Sequence, residues 1–325
     1  MKNILIGTAQ FEHKSGDKAY NLKKIEELTT IAASRNASMV SFHEMCVTGY
    51  AFLRKSNRNE MDQLSEEIPG GSTTDFLTGL AARYKIAILA GLLEKDGTNF
   101  YNTYICVTKD GLLAKFRKLH PFINKWLSPG DEYVVFNYQG VKCGILICYD
   151  NNVIENVRAT TLLGAEIIFM PHVTGCTPSS MPGRGYVDPT LWHARHDDPK
   201  PLRKEFDSRK YREWLLRWLP ARAYDNGIYI IYSNPIGMDD DQLKGGGSMI
   251  LDPFGDILAE CRSLGSEVVV TECTADRIEK ASGLRYRNAR RPELYRDIIG
   301  MEHKAELKVE WMEGERIASN VSKKD

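Results

Sequence analysis

Cys148 ends an apolar run, Gly144-Ile145-Leu146-Ile147, and is followed at once by Tyr149-Asp150-Asn151-Asn152, a turn that opens a helical pattern. A cysteine at a strand end, just before a helix start, sits on a tight and partly exposed elbow. Backbone N–H groups and the helix dipole at such a place favour the thiolate, which is the nucleophilic form. The alternative is a buried structural cysteine, because free Cys is among the most buried residue types. Two other segments carry groups that chemistry could use. Val40-Ser41-Phe42-His43-Glu44 delivers a carboxylate at the end of a short strand, ahead of a turn containing Gly49. Lys115-Phe116-Arg117-Lys118-Leu119-His120-Pro121 puts a lysine at a strand end in apolar and aromatic surroundings. Taken singly, that Glu reads as a loop acid and that Lys as surface charge.

Taken together, Glu44, Lys118 and Cys148, each at the end of a strand and in this order, resemble the carbon–nitrogen hydrolase family, often called the nitrilase superfamily. Around the cysteine, Gly144, Ile147-Cys148-Tyr149-Asp150, Glu155, Arg158 and Gly164-Ala165-Glu166 match the family pattern. The similarity runs from the opening strand at 4–10 to the strand pair near 246–255. It implies an α/β protein, a four-layer α-β-β-α sandwich whose halves are related by pseudo-symmetry. It also implies a covalent mechanism, in which a thiolate attacks a poor electrophile and water later resolves the intermediate. Glu44 is then the base, with a carboxyl pKa that burial must raise for work near neutrality. Lys118 and the Tyr149 backbone N–H would stabilise the oxyanion, each such donor contributing a few kcal/mol. His120, in the Lys-x-His context, is expected to support the site rather than react.

The amidase or carbamoylase-like branch is the expected one: a small carboxamide or N-carbamoyl amine loses ammonia, with no cofactor and no metal. A nitrilase, using the same triad, is the first alternative. Acyl transfer to another acceptor, or ammonia supply to a partner, is another, although no appended synthetase domain accompanies this chain. A non-catalytic binding protein that keeps the fold comes from a different class, and the intact triad argues against it. The family's second glutamate has no counterpart in 122–130, where Asn124 falls nearest to its place. Its usual Phe-Pro after the cysteine turn is replaced by Val153-Ile154.

The 325 residues are 42% hydrophobic and 26% charged, with 43 basic and 43 acidic side chains. A net charge of zero argues against a general nucleic-acid or polyanion surface. The seven cysteines show no C-x-x-C spacing, and an odd number in an enzyme-sized chain fits a reducing compartment. The chain begins with a strand pattern rather than a signal peptide, and no apolar run approaches the ~20 residues that span a membrane. A cytoplasmic protein without membrane attachment is expected.

The elements that must position these residues alternate. Strand patterns at 4–11, 39–42, 86–93 and 166–170 are interleaved with helical patterns at 18–35, 75–84 and 153–163. Asp110-Gly111 predicts a hairpin joining 103–108 to 112–118. A helix at 209–226 leads to strands at 228–233, 248–251, 256–260 and 267–272. No linker divides the chain, so one domain over 1–325 is expected, with a polar tail from about 309. Family resemblance further implies pairing as a homodimer or higher homo-oligomer through the helices at 153–163 and 209–226, the tail wrapping the partner.

Residues 174–209 break this regularity with five prolines and no clear period. Loops of this length are usually functional or disordered, and the aromatic residues Tyr186, Trp192 and Phe206 argue against simple disorder. The segment follows Pro171-His172, which ends the strand beside the one carrying Cys148, so it is expected to border the substrate. Its candidate substrate-binding residues are Arg184, set between glycines and suited to a carboxylate, and Trp192 as an apolar wall, joined by His172, Tyr149 and Asn124. His193 and His196 have no third ligand at a convincing spacing, so no metal site is expected.

Overall fold

The structure is a computed structural model, and it describes residues 1–179 and 181–304. Its strands are β1 (Ile4–Gln10), β2 (Met39–Ser41), β3 (Ala87–Asp96), β4 (Asn99–Thr108), β5 (Gly111–Arg117), β6 (Val135–Tyr138) and β7 (Val141–Ile145). They continue with β8 (Ile167–Pro171), β9 (Tyr229–Ser233), β10 (Ile236–Asp239), β11 (Gln242–Gly245), β12 (Met249–Leu251), β13 (Ile257–Glu260) and β14 (Glu267–Cys273). The helices are α1 (Lys18–Ser34), α2 (Arg58–Leu64), α3 (Ser72–Tyr84), α4 (Ile154–Leu162), α5 (Pro189–His193) and α6 (Lys200–Asp207). After them come α7 (Arg212–Leu215), α8 (Leu219–Asn226), α9 (Ala275–Lys280), α10 (Ser282–Asn288) and α11 (Pro292–Ile299).

Two six-stranded sheets result, ordered β14-β1-β2-β3-β4-β5 and β13-β12-β9-β8-β7-β6. Each has three parallel strands at its centre, β1-β2-β3 in one and β7-β8-β9 in the other. In each, one antiparallel strand flanks these on one side and two on the other. This repeated pattern gives the two halves the same build. The strands are buried on both faces, which is why they read as continuous Val/Ile/Leu runs rather than alternating ones. One core lies between the sheets, where Ile6, Met39, Leu89 and Tyr104 from the first meet Ile145, Ile168, Ile231 and Ile250 from the second. A second core joins the outer face of the first sheet to α1 and α3 through Ile25, Leu28, Leu77 and Leu80. Helices α4 and α8 cover the other sheet. The layers are therefore α-β-β-α.

The helix expected at 209–226 is two. The chain turns at Leu216–Trp218 and restarts with Pro220 in the first turn of α8, where its missing N–H costs nothing. The 174–209 segment is also more ordered than its sequence suggests. It holds α5, α6 and a small core of its own, with Cys176, Val187, Trp192, Leu202 and Phe206 packed on Tyr211, Ile236 and Leu243. The polar tail from about 309 lies outside the described residues. Among the described residues, no helix is long and apolar enough to cross a membrane.

Candidate active site

Three strand ends converge. Glu44 follows β2, Lys118 follows β5 and Cys148 follows β7, so the first sheet supplies the carboxylate and the ammonium and the second supplies the sulfur. Glu44 and Lys118 are fully buried, with Lys118 Nζ 2.5 Å from Glu44 Oε1. Asn102 Nδ2 donates to the same oxygen at 2.6 Å, and the Val173 N–H donates to Oε2 at 3.1 Å. The carboxylate is thereby fixed from three elements. Glycine makes room for it: a Cβ on Gly91 of β3 would lie 2.3 Å from Met45 N, directly behind Glu44. Lys118 is fixed in the same manner. Its carbonyl accepts from Gly130 N–H at 2.8 Å, and a Cβ on Gly130 would meet Arg117 O at 2.2 Å.

Cys148 sits at φ +50°, a left-handed backbone that costs a non-glycine residue about 1–2 kcal/mol. The surrounding contacts hold it there. Asp150, fully buried, accepts from Ile147 N–H at 3.3 Å on the near side of the elbow. It also accepts from Leu119 N–H at 3.2 Å and His120 N–H at 3.0 Å, just past Lys118. One carboxylate thus ties the sulfur-bearing turn to the lysine-bearing strand end. His120 Nδ1 lies 2.8 Å from Asp150 as well, so this histidine supports the turn.

The thiol differs from the expectation of a thiolate. Burial, with the negative charge of Glu44 next, pushes the Cys148 thiol up to about 12, and Lys118 and the Val173 N–H only partly counter this. The elbow opens not into an α-helix but into a single 3₁₀ turn of four residues, Cys148–Asn151, with too little dipole to matter. The resting group is a thiol hydrogen-bonded to Glu44. Burial opposes the charge on Lys118, but Glu44, Cys148 and Asp150 outweigh it and keep the lysine above its ordinary value.

A cavity of about 520 Å³ opens over the sulfur. Its walls include Tyr50, Phe122, Cys148, Tyr149, His172 and Arg184. His172 packs at a tilt against Tyr232, centroids 4.9 Å apart, and its Nε2 lies 3.2 Å from Asn151 Nδ2. Burial, then the Lys118 and Arg184 charges, hold this imidazole well below its ordinary range, so it is neutral. Arg184 approaches Thr174 Oγ1 at 3.4 Å and lies over the Trp214 ring at 4.2 Å.

Two of the sequence-derived candidates are elsewhere. Asn124 donates through Nδ2 to Leu53 O at 2.6 Å and Ser56 O at 2.9 Å and accepts from Trp126 N–H, so its amide is spent on the backbone. It does not stand in for the family's second glutamate. Trp192, 2% exposed, belongs to the satellite core of the 174–209 segment, with the Arg195 guanidinium 3.5 Å above its ring. The apolar wall comes instead from Trp214 and Trp218. Sequence reading passed over Asn102, which lies mid-strand with nothing around it to mark it. Asp150, two residues past the cysteine, was marked by position alone. Among the described residues, no group of three or more His, Cys, Asp or Glu could hold a metal ion.

A buried Cys–Glu–Lys constellation at the junction of two sheets, roofed by a small-molecule cavity, defines a class of thiol-dependent hydrolase. The family model described as carbon-nitrogen hydrolase matches residues 5–282, and the chain belongs to that family. It is similar to an (R)-stereoselective amidase of a Pseudomonas species, 29% identical over 78% of this chain and 80% of that one. It is also similar to N-carbamoylputrescine amidase of Solanum lycopersicum, 26% identical over 93% and 97% of the two chains. Among solved structures, an amidase from a Nesterenkonia species superposes with a TM-score of 0.67 at 21% identity, covering 90% of this chain and 95% of the other.

Proposed function

We propose that this protein cleaves the C–N bond of a small carboxamide or N-carbamoyl amine and releases ammonia through a covalent intermediate on Cys148. The observation that carries the reading is the convergence at the cavity floor: Cys148 lining the cavity beside the Glu44 carboxylate, and Lys118 Nζ 2.5 Å from Glu44 Oε1. A thiol held near 12 needs its proton removed as the S–C bond forms, and Glu44 is the acceptor in contact. The tetrahedral oxyanion then meets the Lys118 ammonium and the Tyr149 N–H. Collapse breaks the C–N bond, and the proton on Glu44 leaves with the departing ammonia. Glu44 next takes a proton from water, whose oxygen attacks the thioester or thiocarbamate carbon, and Cys148 leaves as the thiol. His172, neutral and fixed, and Arg184 border the bound substrate.

Ammonia release from a panel of primary amides, N-carbamoyl amines and nitriles tests this reading. Turnover of amides or carbamoyl compounds is expected. Turnover of nitriles alone would replace it with nitrile hydrolysis, and silence throughout would leave a binding protein. Seven free cysteines support a reducing, cytoplasmic setting. Assembly as a homodimer is supported by the face that α4 shares with α8 and α10, where Ile154, Leu163, Tyr224 and Tyr286 are exposed. Light scattering at micromolar concentration should report at least a dimer, and a monomer would refute the pairing.

A further inference from the structure

Three cations border the cavity, Arg184, Arg217 and Lys244, and among the described residues lining it there is no Asp or Glu. Lys244, on β11, is the hardest of them to explain by folding alone. It is 2% exposed, and its Nζ donates to Gln242 Oε1 at 2.6 Å. The nearest carboxylate oxygen, Asp239 Oδ2, is 3.8 Å away. Asp239 is engaged elsewhere: Oδ1 lies 2.9 Å from His13 Nε2, and its two oxygens accept from Ala51 N–H at 3.0 and 3.1 Å. His13 in turn is 3.0 Å from His43, the residue before Glu44. Two other ion pairs of buried carboxylates are tighter, at 2.6 Å for Lys115–Glu94 and 2.5 Å for Lys118–Glu44. An ammonium buried with one neutral hydrogen-bond partner and an acid only at 3.8 Å has its desolvation cost only partly offset. Burial lowers the proton affinity of Lys244 in spite of Asp239.

The position of this cation is set by the segment that also carries Arg184. Lys244 forms a bridge with Gly175, and Cys176 N–H donates to Leu243 O at 3.0 Å. Arg184 reaches Thr174, the adjoining residue. Both cations therefore gather around 174–175, the stretch that runs from Val173, whose N–H binds Glu44, into the cavity wall.

We propose that Lys244, with Arg184, receives a carboxylate at the far end of the substrate, so that the substrate is the monoamide or N-carbamoyl derivative of an acid and not of an amine. The proposal rests on the hydrolase reading above and adds the charge that the reading leaves open. A chamber wall that carries three cations and no Asp or Glu repels an ammonium-bearing amide and draws in its anionic counterpart. Lys244 is then a specificity residue, its ammonium steadied by Gln242 Oε1 at the cavity side.

The test compares dicarboxylic acid monoamides and N-carbamoyl amino acids of graded length with neutral partners in which a methyl ketone replaces the carboxylate. The wild type should favour the best anionic substrate by about tenfold or more in kcat/KM. Lys244→Met should bring that ratio towards unity, chiefly through KM, and Lys244→Arg should keep most of it. Calorimetric titration of the matching diacids into Cys148→Ala gives a readout without turnover, and adding Lys244→Met should weaken it about tenfold. A wild type indifferent to the carboxylate, or a Lys244→Met enzyme that keeps the preference, would overturn the proposal. Diacid binding without ammonia release from any substrate would break the hydrolase reading and leave the carboxylate site standing. Ammonia release without charge preference would do the reverse.

Discussion

The floor and the mouth of the cavity are built on different principles. At the floor, Glu44, Lys118 and Cys148 stand at the ends of strands from two sheets, and the hydrogen bonds that fix them come from at least four separate chain segments. At the mouth, residues 174–209 leave the second sheet, build a satellite core and return only a few side chains to the cavity. Reacting atoms must be held to within a fraction of an ångström, and that precision comes from over-determined positions in the main core. Recognition tolerates a separately packed segment, so substrate preference can vary there without disturbing the triad. Changes at the floor should therefore appear in kcat, and changes at the mouth in KM.

The largest effect short of losing the sulfur is expected at Glu44. Glu44→Gln removes the proton acceptor and should lower kcat by about 10²–10⁴-fold, as measured by steady-state ammonia release. If kcat holds and only KM rises, the floor and the mouth are not separable as described. Lys118→Met should cost activity and stability together. It leaves a buried carboxylate without its cation, a loss of about 3–5 kcal/mol that denaturant melts would show. Asp150→Asn sharpens the comparison, since Asp150 touches no substrate. Weakening its charge-assisted bonds to three backbone N–H groups is worth about 2 kcal/mol, or about thirtyfold, and should fall on kcat more than on KM. Arg184→Ala, at the mouth, should raise KM about tenfold for a carboxylate-bearing substrate and change kcat less. Smallest in kinetics is Asn124→Ala. It should lower stability by about 1–3 kcal/mol, because two backbone carbonyls lose their donor, and leave KM where it was.

The raised Cys148 thiol has a consequence in pH. Its folded-state value lies above the ordinary 9.0, so folding disfavours ionisation. The stability this represents is intact below about pH 9 and is lost as pH climbs towards 12, the same direction that buried Cys46 and Cys176 impose. Ultraviolet difference spectra between wild type and Cys148→Ala should accordingly show no thiolate absorbance from Cys148 below pH 9. A step near neutrality would mean that the resting nucleophile is already ionised, and that Glu44 has another role.

The triad was legible through the family resemblance that Glu44, Lys118 and Cys148 carry together, since singly the Glu reads as a loop acid and the Lys as surface charge. The central strands were legible because their apolar runs end in turns, as was the β4–β5 hairpin from Asp110-Gly111. What sequence could not supply is what depends on long-range packing. Asn102 lies mid-strand and becomes functional only because β4 runs beside β3, behind the Glu44 turn. Lys244 carries no mark in the sequence and is buried only because the 174–176 stretch lies against β11. Trp192 has the composition of a pocket wall but is drawn into the core that α5 and α6 make with Tyr211. The thiolate expectation weighed a helix dipole and left out burial beside the Glu44 carboxylate, a setting that arises only when the ends of β2 and β7 meet.

The central claim is that Cys148 alone carries the covalent intermediate. Acid-quenched intact-mass spectra of the enzyme with a substrate it turns over test this most directly. The account predicts a mass increase equal to the acyl or carbamoyl group on the wild type, located by peptide mapping to Cys148 and absent from a folded Cys148→Ala protein. An adduct on that variant, or one mapped to any of the other six cysteines, would contradict it.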